Sequence, residues 1–195
     1  MIPFAEIALA LSGAFRLARR DAGGMNDFNP TVTGFWRSFI AALIVAPGYA
    51  MVIGPGLASL PAGQAVRATL AETIAYVVTW VAFPLVMIPI TERIGRDAAY
   101  LRFITAHNWS AVLQMMVLLA AALAGAAMPA GPAAFLHMLA FGLILYYQWF
   151  IARTALAVNG ATAAGIVGLG VLIELAVSSA ATMVGRAPTQ ALLGQ

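Results

Sequence analysis

Two carboxylates, Glu72 and Glu174, lie inside long apolar runs, where an unpaired charge costs roughly 2.5–3.5 kcal/mol on insertion scales. A carboxylate so placed must be protonated, paired or hydrated, and two of them could bind and release a proton or another cation along a transport path. Helical periodicity puts Glu72 with Tyr76, Thr79 and Phe83 on one face, and Glu174 with Gly170, Ser178 and Ala181 on another. Both faces are expected to point into a helix bundle. A plainer reading carries Glu72 to the headgroup layer and leaves Glu174 as a hydrogen-bonded packing residue.

His137, Phe141, Ile144 and Gln148 share a third face, and His107, Ala111 and Gln114 a fourth. The two histidines fall near opposite ends of a helical hairpin, and no HxxH, HxxxH or HExxH pattern accompanies either. No metal site is expected, since a lone histidine on such a face is more often an interhelical hydrogen-bond partner. Ser178 with His137 is the only pairing that resembles an intramembrane serine nucleophile and base, and the two are expected at different depths. There is no GxSxG, no GxxxxGK[ST] and no GxGxxG entering a helix after a strand. No enzyme activity and no cofactor are therefore expected.

These residues must be positioned by membrane helices. Hydrophobic residues make up 63% of the 195-residue chain and charged residues 9%, with a mean hydropathy of +0.93. An apolar stretch of about 20 residues spans a ~30 Å hydrocarbon core as a helix. Five such segments are expected, near 38–60, 69–91, 110–128, 133–152 and 162–184. The expected fold is all-α, a polytopic transmembrane bundle over 31–187, preceded by a helix and loop over 1–30 and followed by a short tail over 188–195. Only Pro129 to Pro132 separates the third and fourth spans, so these must be antiparallel neighbours. No internal repeat is evident.

Near the N-terminus, Phe4, Ile7, Leu11 and Phe15 recur at helical spacing, away from Glu6, Arg16, Arg19 and Arg20. This pattern predicts an amphipathic helix on the membrane surface; the alternative is a helix packed on its own bundle. The start has no basic region ahead of its apolar run, so it does not read as a secretory signal. Asp21 to Pro30 is a loop by its Gly, Asn, Asp and Pro content.

All ten basic residues are arginine, and eight fall on the N-terminal side of the predicted bundle against two, Arg67 and Arg186, on the other. The positive-inside rule then predicts a cytoplasmic N-terminus and an external C-terminus. The arginine-only, alanine-rich composition fits a high-GC bacterium, and hence a multi-pass protein of the inner membrane. The net charge of +3 reflects this orientation; without a basic-aromatic stripe, no nucleic-acid binding is expected. The absence of cysteine excludes disulfides, thiolate nucleophiles and thiolate metal sites.

The polar focus is residues 91–108, which hold Glu92, Arg93, Arg96, Asp97 and Arg102. Tyr100, Phe103, Ile104 and His107 share a face there, predicting a short interfacial helix. It reads either as a surface for anionic lipid or a partner's loop, or as a solvated connection. Pro47-Gly48 and Gly54-Pro55-Gly56 are expected to break the first span, and Pro84 and Pro89 the second. In the fifth span Ala161, Gly165 and Gly168 form a small-residue face for close helix packing.

The layout, with the Gly/Pro-rich first span AALIVAPGYAMVIGPG and the tight MPAGP hairpin, resembles that of Yip1-like membrane proteins. That resemblance implies a non-catalytic protein that binds other membrane proteins or helps organise membranes, and it carries over no functional residue. The leading expectation is an accessory component acting through contacts with the lipid bilayer, with other membrane proteins or with a second copy of itself. The alternative is a small oligomeric transporter or channel using Glu174 and the first two spans.

Overall fold

The computed structural model describes residues 3–186. The tail expected at 188–195 lies outside the described residues. Within them the chain is all-α, with seven helices: α1 (Phe4–Ala18), α2 (Val32–Ser38), α3 (Ile40–Ala58), α4 (Ala62–Arg93), α5 (Tyr100–Ala126), α6 (Ala130–Leu156) and α7 (Gly160–Arg186). Five spans, Val32–Ala58, Ala62–Arg93, Asp97–Ala126, Ala130–Leu156 and Gly160–Gly185, are long and apolar enough to cross a membrane. Their outward faces keep Leu43, Ile74, Leu123, Leu143 and Leu172 exposed, as helices solvated by acyl chains do.

The spans pack as a ring in the order α3, α5, α6, α7, α4, with extensive contact at every seam except that between α3 and α4. Small residues permit the closest approaches. A Cβ on Gly185 would lie 2.9 Å from the Ala68 Cα, one on Gly48 2.7 Å from Met115, and one on Gly170 3.3 Å from Phe83. The small residues singled out from the sequence are not the ones used: nothing lies within 4 Å of a Cβ placed on Gly165 or Gly168. Both face outward from the ring.

The third span corrects the expectation of an interfacial helix at 91–108. α4 runs to Arg93, a turn and a 3₁₀ segment at Asp97–Ala99 follow, and α5 begins at Tyr100. Phe103, Ile104, Thr105, Ala106, Asn108, Trp109 and Ser110 are buried, because α1, α2 and α3 all pack against the first turns of α5. The polar letters in this stretch conceal a packed face.

The prolines do not interrupt their helices. α3 is continuous through Pro47 and Pro55, and α4 through Pro84 and Pro89. Each proline still leaves the carbonyl four residues earlier without an amide donor, at Leu43, Met51, Trp80 and Leu85.

α1 forms as expected, and its Ala10, Gly13, Ala14 and Leu17 face is buried against α5, α6 and the 3₁₀ turn Ala22–Asp27. Phe4 and Phe15, from the predicted stripe, are exposed. The Tyr147 hydroxyl donates to the Ala14 carbonyl at 2.7 Å. Glu6 pairs with Arg37 of α2 at 2.6 Å, and Arg16 with Asp21 and Asp27 at 2.7 and 3.0 Å. The Arg16 guanidinium and then the Gly23 N–H hold the Asp21 carboxyl below its usual range.

α1 ends in a Schellman turn, in which the Arg20 N–H bonds the Leu17 carbonyl and the Asp21 N–H the Arg16 carbonyl. The residue at the left-handed position is Arg20, at φ 64°, where glycine is the usual occupant. A side chain there costs about 1–2 kcal/mol.

Candidate functional site

The ring encloses a cleft of about 560 Å³, to which all five long helices contribute. Glu72, Tyr76, Thr79 and Phe83 of α4, Gly170, Glu174 and Ser178 of α7, His107, Ala111 and Gln114 of α5, and Phe141, Ile144 and Gln148 of α6 all line it. Four faces read separately from helical periodicity thus meet at one place.

Glu72 is half-buried and accepts a hydrogen bond from the Tyr49 hydroxyl of α3 at 2.9 Å. The Tyr49 and Tyr76 rings lie 4.9 Å apart, and the Tyr76 hydroxyl donates to the Ala42 carbonyl of α3. These contacts close the sparse seam between α3 and α4. A second cavity of about 180 Å³, lined by Leu57, Leu60, Ala68, Thr182 and Gly185, also reaches Glu72 and Ile53. Glu72 consequently borders both spaces. Glu174 borders the main cleft and is the more exposed carboxylate.

The opposite wall is an amide and hydroxyl chain. Gln148 Nε2 donates to Gln114 Oε1 at 2.9 Å, Gln114 Nε2 to Ser110 Oγ at 2.8 Å, and Ser110 Oγ to the His107 carbonyl at 2.6 Å. Deeper still, Asn108 Nδ2 donates to Ser38 Oγ at 2.8 Å, both residues being buried. The His107 ring stacks on Phe83 at 4.4 Å. His107 belongs to this site and not to the polar surface at which it was expected. Among the described residues the cleft walls carry two carboxylates and no arginine. With Tyr49, Tyr76, Trp80, Phe83 and Phe141 among them, they suit a cation with its electrostatic field and aromatic faces.

His137 stands apart. Its Nδ1 donates to the Ala133 carbonyl at 2.7 Å, and its ring packs where a Cβ on Gly125 would meet it at 2.8 Å. At that end of the α5–α6 hairpin Gly125 brings the helices into contact, so no cleft remains for His137 to enter.

Arg93, Arg96, Asp97, Tyr100 and Arg102 are not in the cleft wall. Arg96 donates to the Ala157 carbonyl at 3.2 Å and Tyr100 to the Pro84 carbonyl at 3.0 Å. Arg102 is partly buried, with its Nε unpartnered. Among the described residues no three His, Asp or Glu side chains gather as a metal-binding group.

Sequence reasoning missed Tyr49, Ser110 and Asn108. Tyr49 had a visible signal, since its hydroxyl is the one polar side-chain group in the 19 residues of α3. Comparison with known proteins returned no matching family model, no matching curated protein and no matching solved structure. The functional reading consequently rests on the cleft itself.

Proposed function

We propose that the chain is a small transporter or channel that admits a cation into the cleft between its five spans. One observation carries this reading: Glu72 and Glu174, each costly in an apolar run, line one cleft in whose wall no arginine stands among the described residues. A cation would offset that cost, and the aromatic wall would hold it without permanent neutralisation. The protein is proposed to act non-catalytically in a bacterial inner membrane, with its N-terminus in the cytoplasm, in keeping with its arginine distribution.

The test is flux in proteoliposomes with two probe cations of different size: protons followed by a trapped pH dye, and ethidium followed by its fluorescence. At least one should cross faster than in empty liposomes, and Glu174→Gln should reduce that rate at least tenfold while preserving a monodisperse protein. Wild-type flux no faster than in empty liposomes for both cations, or full flux in the variant, would sink the proposal.

A second reading, an accessory protein with the Yip1-like layout, draws support from the open face at Gly165 and Gly168. Such a face suits a helix from another chain. Under that reading Gly165→Leu should abolish a stoichiometric complex and leave the isolated chain intact.

A further inference from the structure

We infer that Arg20, Tyr146, Trp149 and Arg153 form a binding site for the phosphate of an anionic lipid, separate from the cleft. The four side chains make a ladder from the turn after α1 along α6. The Arg20 guanidinium carbon lies 5.1 Å from the Tyr146 ring centroid, the Tyr146 and Trp149 centroids are 5.7 Å apart, and the Arg153 guanidinium carbon lies 5.2 Å from the Trp149 centroid. Arg20, Tyr146 and Arg153 are exposed.

The ladder carries unspent charge. Among the described residues, the ion pairs are Arg16 with Asp21 and Asp27, and Arg37 with Glu6. Asp21, the acid next to Arg20 in the chain, is thus turned to Arg16, and neither rung arginine has a carboxylate partner among the described residues. The Trp149 indole donates to the Gly160 carbonyl at 2.9 Å, which fixes the central ring. The Tyr146 hydroxyl has no hydrogen-bond partner among the described residues, so it remains available to a phosphate oxygen.

Position and strain point the same way. The ladder occupies the last three turns of α6, at the end of the span expected over 133–152, where aromatic rings favour the headgroup region. Arg20 reaches the rings from a left-handed backbone that glycine would occupy at lower cost. Apart from its contact with the Tyr146 ring Arg20 is exposed, and the left-handed turn aims its guanidinium along the outside of α6. Two guanidiniums flanking rings at headgroup depth match a phosphate whose acyl chains run down the apolar surface below. A soluble phosphate would gain nothing from that apolar surface.

The test is native mass spectrometry of the full chain in mild detergent, titrated with dioleoyl phosphatidylglycerol or dioleoyl phosphatidylcholine. The anionic lipid should bind in preference, weakened about fivefold by each arginine removed and about 25-fold by both. Arg20→Gly separates this role from a structural one: it relieves the left-handed strain, so thermal stability should hold or rise while phosphatidylglycerol binding falls. Arg153→Gln should show the same loss. Equal binding of the two lipids to the wild type, or wild-type selectivity in the Arg20→Gly, Arg153→Gln double variant, would overturn the inference. Displacement of the lipid by millimolar inorganic phosphate would reassign the site to a soluble anion and overturn the lipid assignment.

Discussion

At the end of the bundle that carries α1, Gly13 and Gly24 meet backbone to backbone, and Ala14, Ile104, Ile151, Leu156 and Ala163 are fully enclosed. At the end formed by the C-terminal turns of α3 and α7 and the N-terminal turns of α4, the buried cluster among the described residues is Ala71, Ala75 and Ala181, beside a cavity of about 180 Å³. Both ends use small residues, with different results. Around α1 the small residues face backbone and large side chains, so the space is filled. Between α4 and α7 they face one another, so the helices touch but leave voids toward α3. Lipid supplies no hydrophobic force between helices, and such voids lose dispersion contacts outright. The first end is the more completely filled, and under the proposed cation reading the second is the part that would yield to a solute.

The largest test of that contrast is a matched pair of glycine substitutions. A Cβ on Gly13 would lie 2.8 Å from both the Asp27 Cβ and the Gly24 carbonyl oxygen, and backbone cannot swing aside. Gly13→Val should therefore lose about 3 kcal/mol, the upper range for overpacking. Gly56, in the last turns of α3 beside the smaller cavity, has open space around it, so Gly56→Ala should be neutral or gain up to about 1 kcal/mol from helix propensity. Unfolding in mild detergent measures both. Equal losses would mean that the two regions are packed alike.

Several features of this contrast were legible in the sequence. Length and hydropathy predicted the five spans, and the 3.6-residue period grouped most of the cleft residues by helix face, though it placed His137 and Ala181 with them and neither lines the cleft. Arg96, Asp97 and Arg102 misled by making residues 91–108 look like a surface; the burial of Phe103 to Ala106 depends on α1 and α2 arriving there from elsewhere in the chain. Gly165 and Gly168 look the same in sequence as Gly170 and Gly185, and only the register of α7 against α4 separates packed from open positions. The ladder through Arg20 was hidden for a related reason, since it joins residues more than 120 positions apart through a left-handed turn that an arginine does not advertise.

A smaller effect is expected at the seam between α3 and α4, which Tyr49 and Tyr76 bridge. Tyr49→Phe keeps the ring contact and removes the hydrogen bond to Glu72, so stability should fall by about 1 kcal/mol. If this bond restrains the yielding end, cation flux in proteoliposomes should rise in the variant even as stability falls. A stability loss with unchanged flux would show that the seam is structural only, and that the solute enters elsewhere.

The smallest effect belongs to the charges of the filled end. Because the Arg16 guanidinium and the Gly23 N–H lower the folded-state pKa of Asp21, its contribution is fully present above the unfolded carboxylate value of about 3.9. It is lost as pH falls through the depressed folded value. Asp21 is exposed, and Arg16 keeps Asp27 as a second partner at 3.0 Å, so solvent screening leaves little to lose. Asp21→Asn should lower Tm slightly at pH 7, follow a shallower acid limb than the wild type, and converge with it only once pH has fallen below the depressed folded value of Asp21. Thermal scans in detergent from pH 7 downward measure this directly. A large drop at pH 7 would mean that ion pairs, and not the contacts of Gly13, Ala14 and Leu17, hold the α1 end in place. The stiffness of that end would then depend on salt, and its difference from the yielding end should fade as ionic strength rises.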